Sequence, residues 1–219
     1  MTLPDRGTVL ARRRMRETRR DMVLTVLAGV GLAGWVSGPT WRSLGLAVVL
    51  VAGAAVVAGL CGAAVMKVLR RPVAPVVIGV IVATLNEVLR WGLVAWGGLG
   101  AAEAAWMGVW SFLVGLGVML ASLRLALRTL AANQAGEVEE PGERPGSLLS
   151  PLRLIHSVAL ICQEVARCLL VAWSPWLVLV TIAEAGLAGG FPRNHPASTW
   201  IATAGGYTLL AVALALWLR

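Results

Sequence analysis

The sequence predicts an all-α fold, a polytopic integral membrane bundle of about six transmembrane helices. Of the 219 residues, 58% are hydrophobic and only 14% are charged, whereas soluble domains are nearer half apolar and a quarter charged. Several stretches of about 20 residues contain no charged side chain, and this is the length that crosses the core of a bilayer. No segment shows the alternation of polar and apolar residues, in runs of roughly ten, that is typical of membrane strands. The lipid bilayer is therefore the first partner that the sequence implies.

The first part of the chain predicts a basic tail and two spans. Residues 1–21 contain seven arginines, and we expect them to form a cytoplasmic tail, because basic residues gather on that side of a membrane. A first span is predicted over residues 22–37, ending at Gly38-Pro39. A second, uninterrupted span is predicted over residues 44–66.

Two further spans complete the predicted transmembrane region of residues 22–130. The third runs over residues 73–95, and the prolines at its start suit the first turn of a helix. The glycine-rich segment Gly97–Gly100 predicts a turn, and the fourth span follows over residues 104–123. Residues 131–152 are hydrophilic and too few for a domain, so they predict a polar cytoplasmic loop.

The C-terminal region, residues 153–219, allows two interpretations. Its first part is too long for a single span at 1.5 Å per residue, and Ser174-Pro175 is the natural break. Either residues 154–173 and 175–190 both span the bilayer, or one of them lies at the interface or re-enters. A final span is predicted over residues 197–218.

The distribution of basic residues predicts the topology. The net charge of +8 is interpreted as the positive-inside bias of a membrane protein, so no nucleic acid partner is expected. Six spans with a cytoplasmic N-terminus put most of the 19 basic residues inside and leave Arg42 and Arg193 outside. A seven-span arrangement moves Arg193 in and Arg219 out with almost the same score; we prefer six. The chain has 18 arginines and one lysine, which indicates a GC-rich genome and a bacterial cell membrane.

A repeated motif carries charges into apolar surroundings. Residues 87–96 align without a gap on residues 164–173, with seven of ten positions identical. Both copies begin with Glu-x-x-Arg, which places the two charges on one face of a helix, and an amide residue precedes each copy. The matched polar residues are Asn86, Glu87, Arg90, Gln163, Glu164 and Arg167.

The six-span arrangement makes the two copies run in the same direction, which predicts a parallel duplicated helix-hairpin unit with a pseudo-twofold axis along the membrane normal. The match beyond the motif is weak, and Glu103 aligns with Glu184 only across a four-residue gap. A duplicated two-helix unit is therefore expected, and a fully duplicated protein is not.

The charges of the motif require partners, because inserting one alone costs about 2.5–3.5 kcal/mol. Symmetry suggests that Glu87 pairs with Arg167 and that Glu164 pairs with Arg90 across the interface of the repeated helices. The alternative is pairing within each helix, three residues apart. The pairs either fix helix packing, line a polar cavity, or act as a catalytic acid and base.

These residues form the candidate substrate- or ion-binding site. Glu184 joins it as a proton or cation site, because it lies alone in an apolar segment. The cysteines, Cys61, Cys162 and Cys168, are interpreted as buried small side chains, since their number is odd and their spacing predicts neither disulfides nor a metal site. The histidines form no metal constellation, and no cofactor or catalytic motif is present.

The leading functional hypothesis is a small, non-catalytic transporter, or a membrane subunit of a transport or assembly complex, with a buried Glu/Arg polar centre. Its ligand would be an unidentified small molecule, and it would need ion coupling, a protein partner or a homo-oligomer. The first alternative is a structural scaffold or accessory subunit whose charge pairs only fix packing. The second alternative is a lipid-modifying membrane enzyme with Glu87 or Glu164 as acid or base.

Overall fold

A computed structural model describes residues 23, 25–31, 34, 38–68, 74–133, 151–190 and 196–219. Within these residues the secondary structure is helical and no strand is present, so the predicted all-α fold is confirmed. The helices are α1 (Trp41–Val68), α2 (Ala74–Gly97), α3 (Ala101–Asn133), α4 (Pro151–Trp173), α5 (Val178–Gly190) and α6 (Pro196–Trp217). The predicted basic tail lies outside the described residues, as does most of the predicted polar loop.

Five described helices contain segments long and apolar enough to cross a membrane, so the chain is a multi-pass membrane protein. These segments are Trp41–Val65, Val76–Gly97, Ala101–Ser122, Ile155–Trp173 and Thr199–Trp217. Each agrees within three residues or so with a span predicted from the sequence. A shorter apolar helical segment covers Pro175–Leu187. The first predicted span is described only in part, and residues 25–31 within it are helical.

The turn between α2 and α3 depends on a left-handed glycine. Gly98 has a φ of +54°, a conformation in which a side chain would be strained. Its amide donates to the carbonyl of Ala95, and the amide of Leu99 donates to the carbonyl of Val94. These bonds satisfy the last carbonyls of α2, and the buried Leu99 anchors the turn in the core.

The break after α4 lies where the sequence predicts it. Ser174 leaves the helical conformation with φ −150° and ψ 124°, and a single 3-10 turn, Pro175–Leu177, follows. Proline fits there because its missing N–H falls in a first helical turn, where no intrahelical acceptor exists. The following helix α5 has 13 residues and is therefore only about 20 Å long.

Helices α4 and α6 run in the same direction. His156 contacts Thr203, 47 residues later, and Leu169 accepts a bond from Trp217, 48 residues later. A nearly constant separation along both helices requires a parallel pair, so α5 must carry the chain back between them. Arg219 therefore lies at the opposite end of the bundle from the start of α4, as in the seven-span alternative.

The two hairpins, α2–α3 and α4–α5, pack as a parallel repeat would. Helix α2 packs on α5, and α3 packs on α4. If α2 and α3 are exchanged with α4 and α5, the first of these contacts becomes the second, as a twofold repeat requires. Gly108 of α3 lies against Val165 of α4, and the residues after Gly108, 111–119, line one cavity with the residues before Val165, 156–164. Helices α3 and α4 are therefore antiparallel, and α2, which turns back sharply into α3, is parallel to α4. Helix α1 packs on α2 and α3, and α6 packs on α4.

Two glycines let neighbouring helices approach the backbone of α4. A Cβ atom at Gly108 would lie 2.6 Å from the Cα of Val165, and one at Gly206 would lie 2.3 Å from the carbonyl oxygen of Ala159. Backbone atoms cannot move away as a flexible side chain can, so only glycine fits at these positions. A Cβ atom at Gly117 meets nothing within 4 Å.

We expect Gly108→Ala and Gly206→Ala each to destabilise the protein by about 1–3 kcal/mol, the usual effect of overpacking. The control Gly117→Ala should leave stability unchanged or slightly higher, because alanine favours a helix. Thermal unfolding of the purified protein in detergent measures the difference. Unfolding midpoints equal to that of Gly117→Ala would contradict the close approach of α3 and α6 to α4.

Candidate functional site

Five charged side chains meet between α2, α4 and α5, and we call them the charge cluster: Glu87, Arg90, Glu164, Arg167 and Glu184. The motif residues of α2 and α4 each lie one helical turn apart, so each helix presents its Glu and Arg on a single face. Glu87 and Arg90 are completely buried, and the side chain of Glu164 is the most exposed carboxylate of the three at 23%. The cluster therefore lies in the interior of the bundle.

Arg90 contacts acceptors on both motif helices. Its Nε lies 3.2 Å from Oε2 of Glu87, and one terminal nitrogen donates to Oε2 of Glu164 over 2.7 Å. The other terminal nitrogen donates to Sγ of Cys168 over 3.1 Å and lies 3.5 Å from the carbonyl oxygen of Glu164. Both terminal nitrogens thus donate hydrogen bonds, while Nε and Oε2 of Glu87 form an ion pair without hydrogen-bond geometry. Partners of this kind offset the cost of burying an arginine.

Arg167 joins all three carboxylates. One terminal nitrogen lies 3.3 Å from Oε1 of Glu87 and 3.5 Å from Oε1 of Glu164. Its Nε donates to Oε2 of Glu184 over 3.1 Å, and its second terminal nitrogen donates to the same oxygen. The pairing across the helices and the pairing within each helix, predicted as alternatives, therefore coexist.

The charge cluster carries one excess negative charge when all five groups are ionised, because three carboxylates face two guanidiniums. An uncompensated charge at membrane depth is expensive and usually functional. The amide of Gln163 reduces the energetic cost of this charge by donating to Oε1 of Glu184. The arginine contacts described above stabilise the carboxylates further. The arrangement favours the approach of one more positive group.

The two copies of the motif differ in the partner of their preceding amide. Gln163 donates to Glu184, whereas the buried oxygen of the matching Asn86 has no hydrogen-bond partner among the residues that the structure describes. Glu103, the residue that aligns with Glu184 across a gap, instead pairs with Arg42 over 3.5 Å in a partly exposed position. Among the described contacts, the first copy therefore has no carboxylate that corresponds to Glu184.

A cavity of about 590 Å³ adjoins the charge cluster and is bounded by α1 to α4 and by Thr25. Its walls are mostly apolar, with six polar side chains besides that of Thr25. The polar lining residues are Asn86, Arg90, Ser111, His156, Ser157 and Glu164, and the apolar ones include Leu50, Phe112, Gly115, Leu116, Met119 and Leu160. Arg90 and Glu164 thus belong to both the cluster and the cavity.

The structure brings together all seven residues of the predicted site, but in two groups. Asn86, Arg90 and Glu164 line the cavity, while Gln163 and Glu184 lie on the side of Arg167. No sequence motif marks Ser111, His156 or Ser157 as site residues. One signal was available, because His156, Leu160 and Glu164 recur every four residues and so share one face of α4.

Comparison of the chain with protein-family models, with curated proteins and with solved structures finds no match. Among the residues that the structure describes, no group of three His, Cys, Asp or Glu side chains is arranged to hold a metal ion. The fold and the site themselves define the class: a multi-pass α-helical membrane protein with a buried Glu/Arg cluster.

We expect Arg167→Met to destabilise the protein by about 3–5 kcal/mol, because it leaves three buried carboxylates with one cation. The matched control is Arg42→Met, which removes an arginine that is 55% exposed and pairs with Glu103. Exposed pairs contribute about 0–1 kcal/mol, so its effect should be small. Denaturant unfolding in detergent compares the two, and equal effects would show that the cluster is not an energetic centre of the fold.

Proposed function

We propose that this protein is a small membrane transporter that binds its solute in the cavity beside the charge cluster. The observation that carries the proposal is the shared wall: Arg90 and Glu164 line the cavity and are also held by the cluster. Ionisable residues that face the inside of a membrane bundle commonly mark a solute or ion path. A polar wall whose geometry is fixed by buried ion pairs is preorganised for binding.

The size and lining of the cavity support solute binding. Ligand sites usually have volumes of about 300–1,000 Å³, with apolar walls and a few polar groups that orient the ligand. The cavity of about 590 Å³ has this composition. Its polar groups come from α2, α3 and α4, so a bound solute would contact both hairpins of the repeat.

Transport is favoured over catalysis by the state of the carboxylates. A general acid or base must be free to exchange a proton with its substrate. Each carboxylate of the cluster is instead engaged by at least one guanidinium. We therefore assign these side chains a binding and packing role and do not propose a lipid-modifying reaction.

We expect the energy for transport to come from outside the described helices. These helices lie in the bilayer and offer no nucleotide-binding motif, so net movement of a solute requires an ion gradient or a partner subunit. The basic tail and the other basic segments support a cytoplasmic N-terminus, and we place the protein in a bacterial cell membrane.

A second candidate is an accessory or scaffold subunit. The observation that favours it is the extensive ion pairing of the cluster: every guanidinium nitrogen of the two arginines lies within 3.3 Å of an acceptor in the chain. Buried pairs of this kind can serve only to fix helix register. In this case the cavity would be a packing feature, and function would depend on a protein partner.

Native mass spectrometry of the protein, gently extracted from its own membrane, tests the proposal. We expect the wild type to retain a small molecule in stoichiometric amount. Gly115→Phe should lose it, because Gly115 lines the cavity and its Cβ would meet nothing within 4 Å. The larger side chain then begins in open space and extends into the ligand volume.

The control Gly117→Phe lies two residues further along α3, at an exposed position where a Cβ also meets open space. It should retain the small molecule. A wild-type protein that carries a stoichiometric protein partner and no small molecule would refute solute binding and favour the scaffold role.

A further inference from the structure

We propose that the cavity recognises an organic ammonium, a protonated amine attached to an apolar body. This inference rests on the proposed function and names the chemical class of the solute. It follows from the charge of the cluster and from which polar atoms in the cavity remain open to a ligand.

The charge balance favours a cation. The cluster has three carboxylates and two guanidiniums, and of the carboxylates only Glu164 lines the cavity. Glu164 is also the most exposed of the three, since its side chain is 23% accessible against 0% for Glu87 and 12% for Glu184. An ammonium beside Glu164 would bring the local charge to zero, whereas a carboxylate ligand would double the excess. In an apolar interior this difference is large.

Arg90 does not reverse the preference, although it lies on the same wall. Its Nε faces Glu87, and its terminal nitrogens face Glu164 and Cys168. An anionic ligand would have to displace one of these acceptors. Arg90 therefore holds Glu164 in position and offers little to a carboxylate.

His156 presents an acceptor to the cavity in its neutral form. Its Nδ1 lies 2.8 Å from the hydroxyl oxygen of Thr203. That hydroxyl donates its single hydrogen to the carbonyl of Thr199 over 2.7 Å, so it can only accept from the imidazole. Nδ1 thus carries the proton, and Nε2 has a free lone pair. No described residue forms a hydrogen bond with Nε2.

Ser111 and Asn86 complete the recognition set. Ser111 donates its hydroxyl hydrogen to the carbonyl of Met107 over 2.7 Å, so toward the cavity it is an acceptor. Within the described part of the chain the oxygen of Asn86 has no hydrogen-bond partner, and an amide can offer either its oxygen or its nitrogen. An –NH₃⁺ group has three donors, and the cavity offers at least as many acceptors with Glu164 and His156 included.

The remaining lining residues fit the apolar body. Five large apolar side chains line the cavity: those of Leu50, Phe112, Leu116, Met119 and Leu160. A ligand with an ammonium group at the polar wall would therefore bury its hydrocarbon part against α1, α3 and α4. Burial contributes about 25 cal/mol for each Å² of apolar surface.

Isothermal titration calorimetry with octylammonium chloride and sodium octanoate tests the inference. The two probes have tails of equal length and opposite charge. At about pH 8 an imidazole of ordinary pKa is neutral, while an alkylamine remains charged. The proteins are the wild type, Gly115→Phe and Gly117→Phe in one detergent, so partition into the micelle is the same for all three. Gly115→Leu serves as a smaller blocking variant if the phenylalanine impairs folding.

We expect octylammonium to bind the wild type and Gly117→Phe with equal Kd, and Gly115→Phe at least about tenfold more weakly, a difference of about 1.4 kcal/mol. Octanoate should not distinguish the three proteins. Octyltrimethylammonium keeps the charge but has no N–H, so it should bind the wild type more weakly than octylammonium.

Three results would overturn the inference. If octanoate is the probe that Gly115→Phe excludes, the cavity binds a solute of the opposite charge, and the proposed function stands without this ligand class. If no probe distinguishes Gly115→Phe from Gly117→Phe, the cavity does not recognise ammonium. If octyltrimethylammonium binds as tightly as octylammonium, the hydrogen-bond acceptors do not select the ligand. The proposed function fails separately, through the absence of any retained native molecule.

Discussion

The burial of five charged groups inside an apolar bundle is the constraint on which the rest of the structure depends. A charged group removed from water is stable only if nearly all its polar atoms find partners. Arg90 and Arg167 find theirs on α2, α4 and α5 together. None of these three helices can shift by one turn without leaving a carboxylate or a guanidinium unpaired. The cluster therefore sets the register of both hairpins, and the cavity wall is a consequence of that register.

Part of this arrangement could be predicted from the sequence. The spans followed from hydropathy, since transfer of charge into lipid is costly enough to mark nearly every boundary. The repeated Glu-x-x-Arg motif correctly predicted that the charges of the two copies meet. It could not show whether they pair within or between helices, because side chains three residues apart and side chains on facing helices are equally close. The structure contains both.

Other features depend on tertiary geometry that one sequence does not carry. Glu184 and Glu103 have similar apolar surroundings, yet only Glu184 reaches an arginine of the motif. The choice between six and seven spans was also open, because moving Arg193 and Arg219 between sides leaves the charge count almost unchanged. The parallel contacts of α4 and α6 decide the direction of the C-terminal helices. The cavity arises from the space between helices around Gly115, for which hydropathy gives no signal.

The two copies of the motif differ in the polar groups that surround them. The second copy of the motif is completed by Glu184 and Gln163. The first copy is preceded by Asn86, which lines the cavity and whose oxygen has no hydrogen-bond partner among the described residues. Both copies nevertheless contribute to the charge cluster. Arg90 and Arg167 hold Glu164 at the wall of the cavity.

The most direct test of the central claim is the stability of a charge swap, Glu87→Arg combined with Arg167→Glu. An isolated pair would tolerate the exchange. In a network, an arginine at position 87 faces Arg90, and a glutamate at position 167 faces Glu164 and Glu184. We expect the double variant to remain well below the wild-type unfolding midpoint, because the swap keeps the total charge of the cluster but places like charges beside Arg90, Glu164 and Glu184. The exposed pair swapped as Arg42→Glu with Glu103→Arg should change stability by no more than about 1 kcal/mol. Recovery of the wild-type unfolding midpoint by the Glu87 and Arg167 swap would contradict the network.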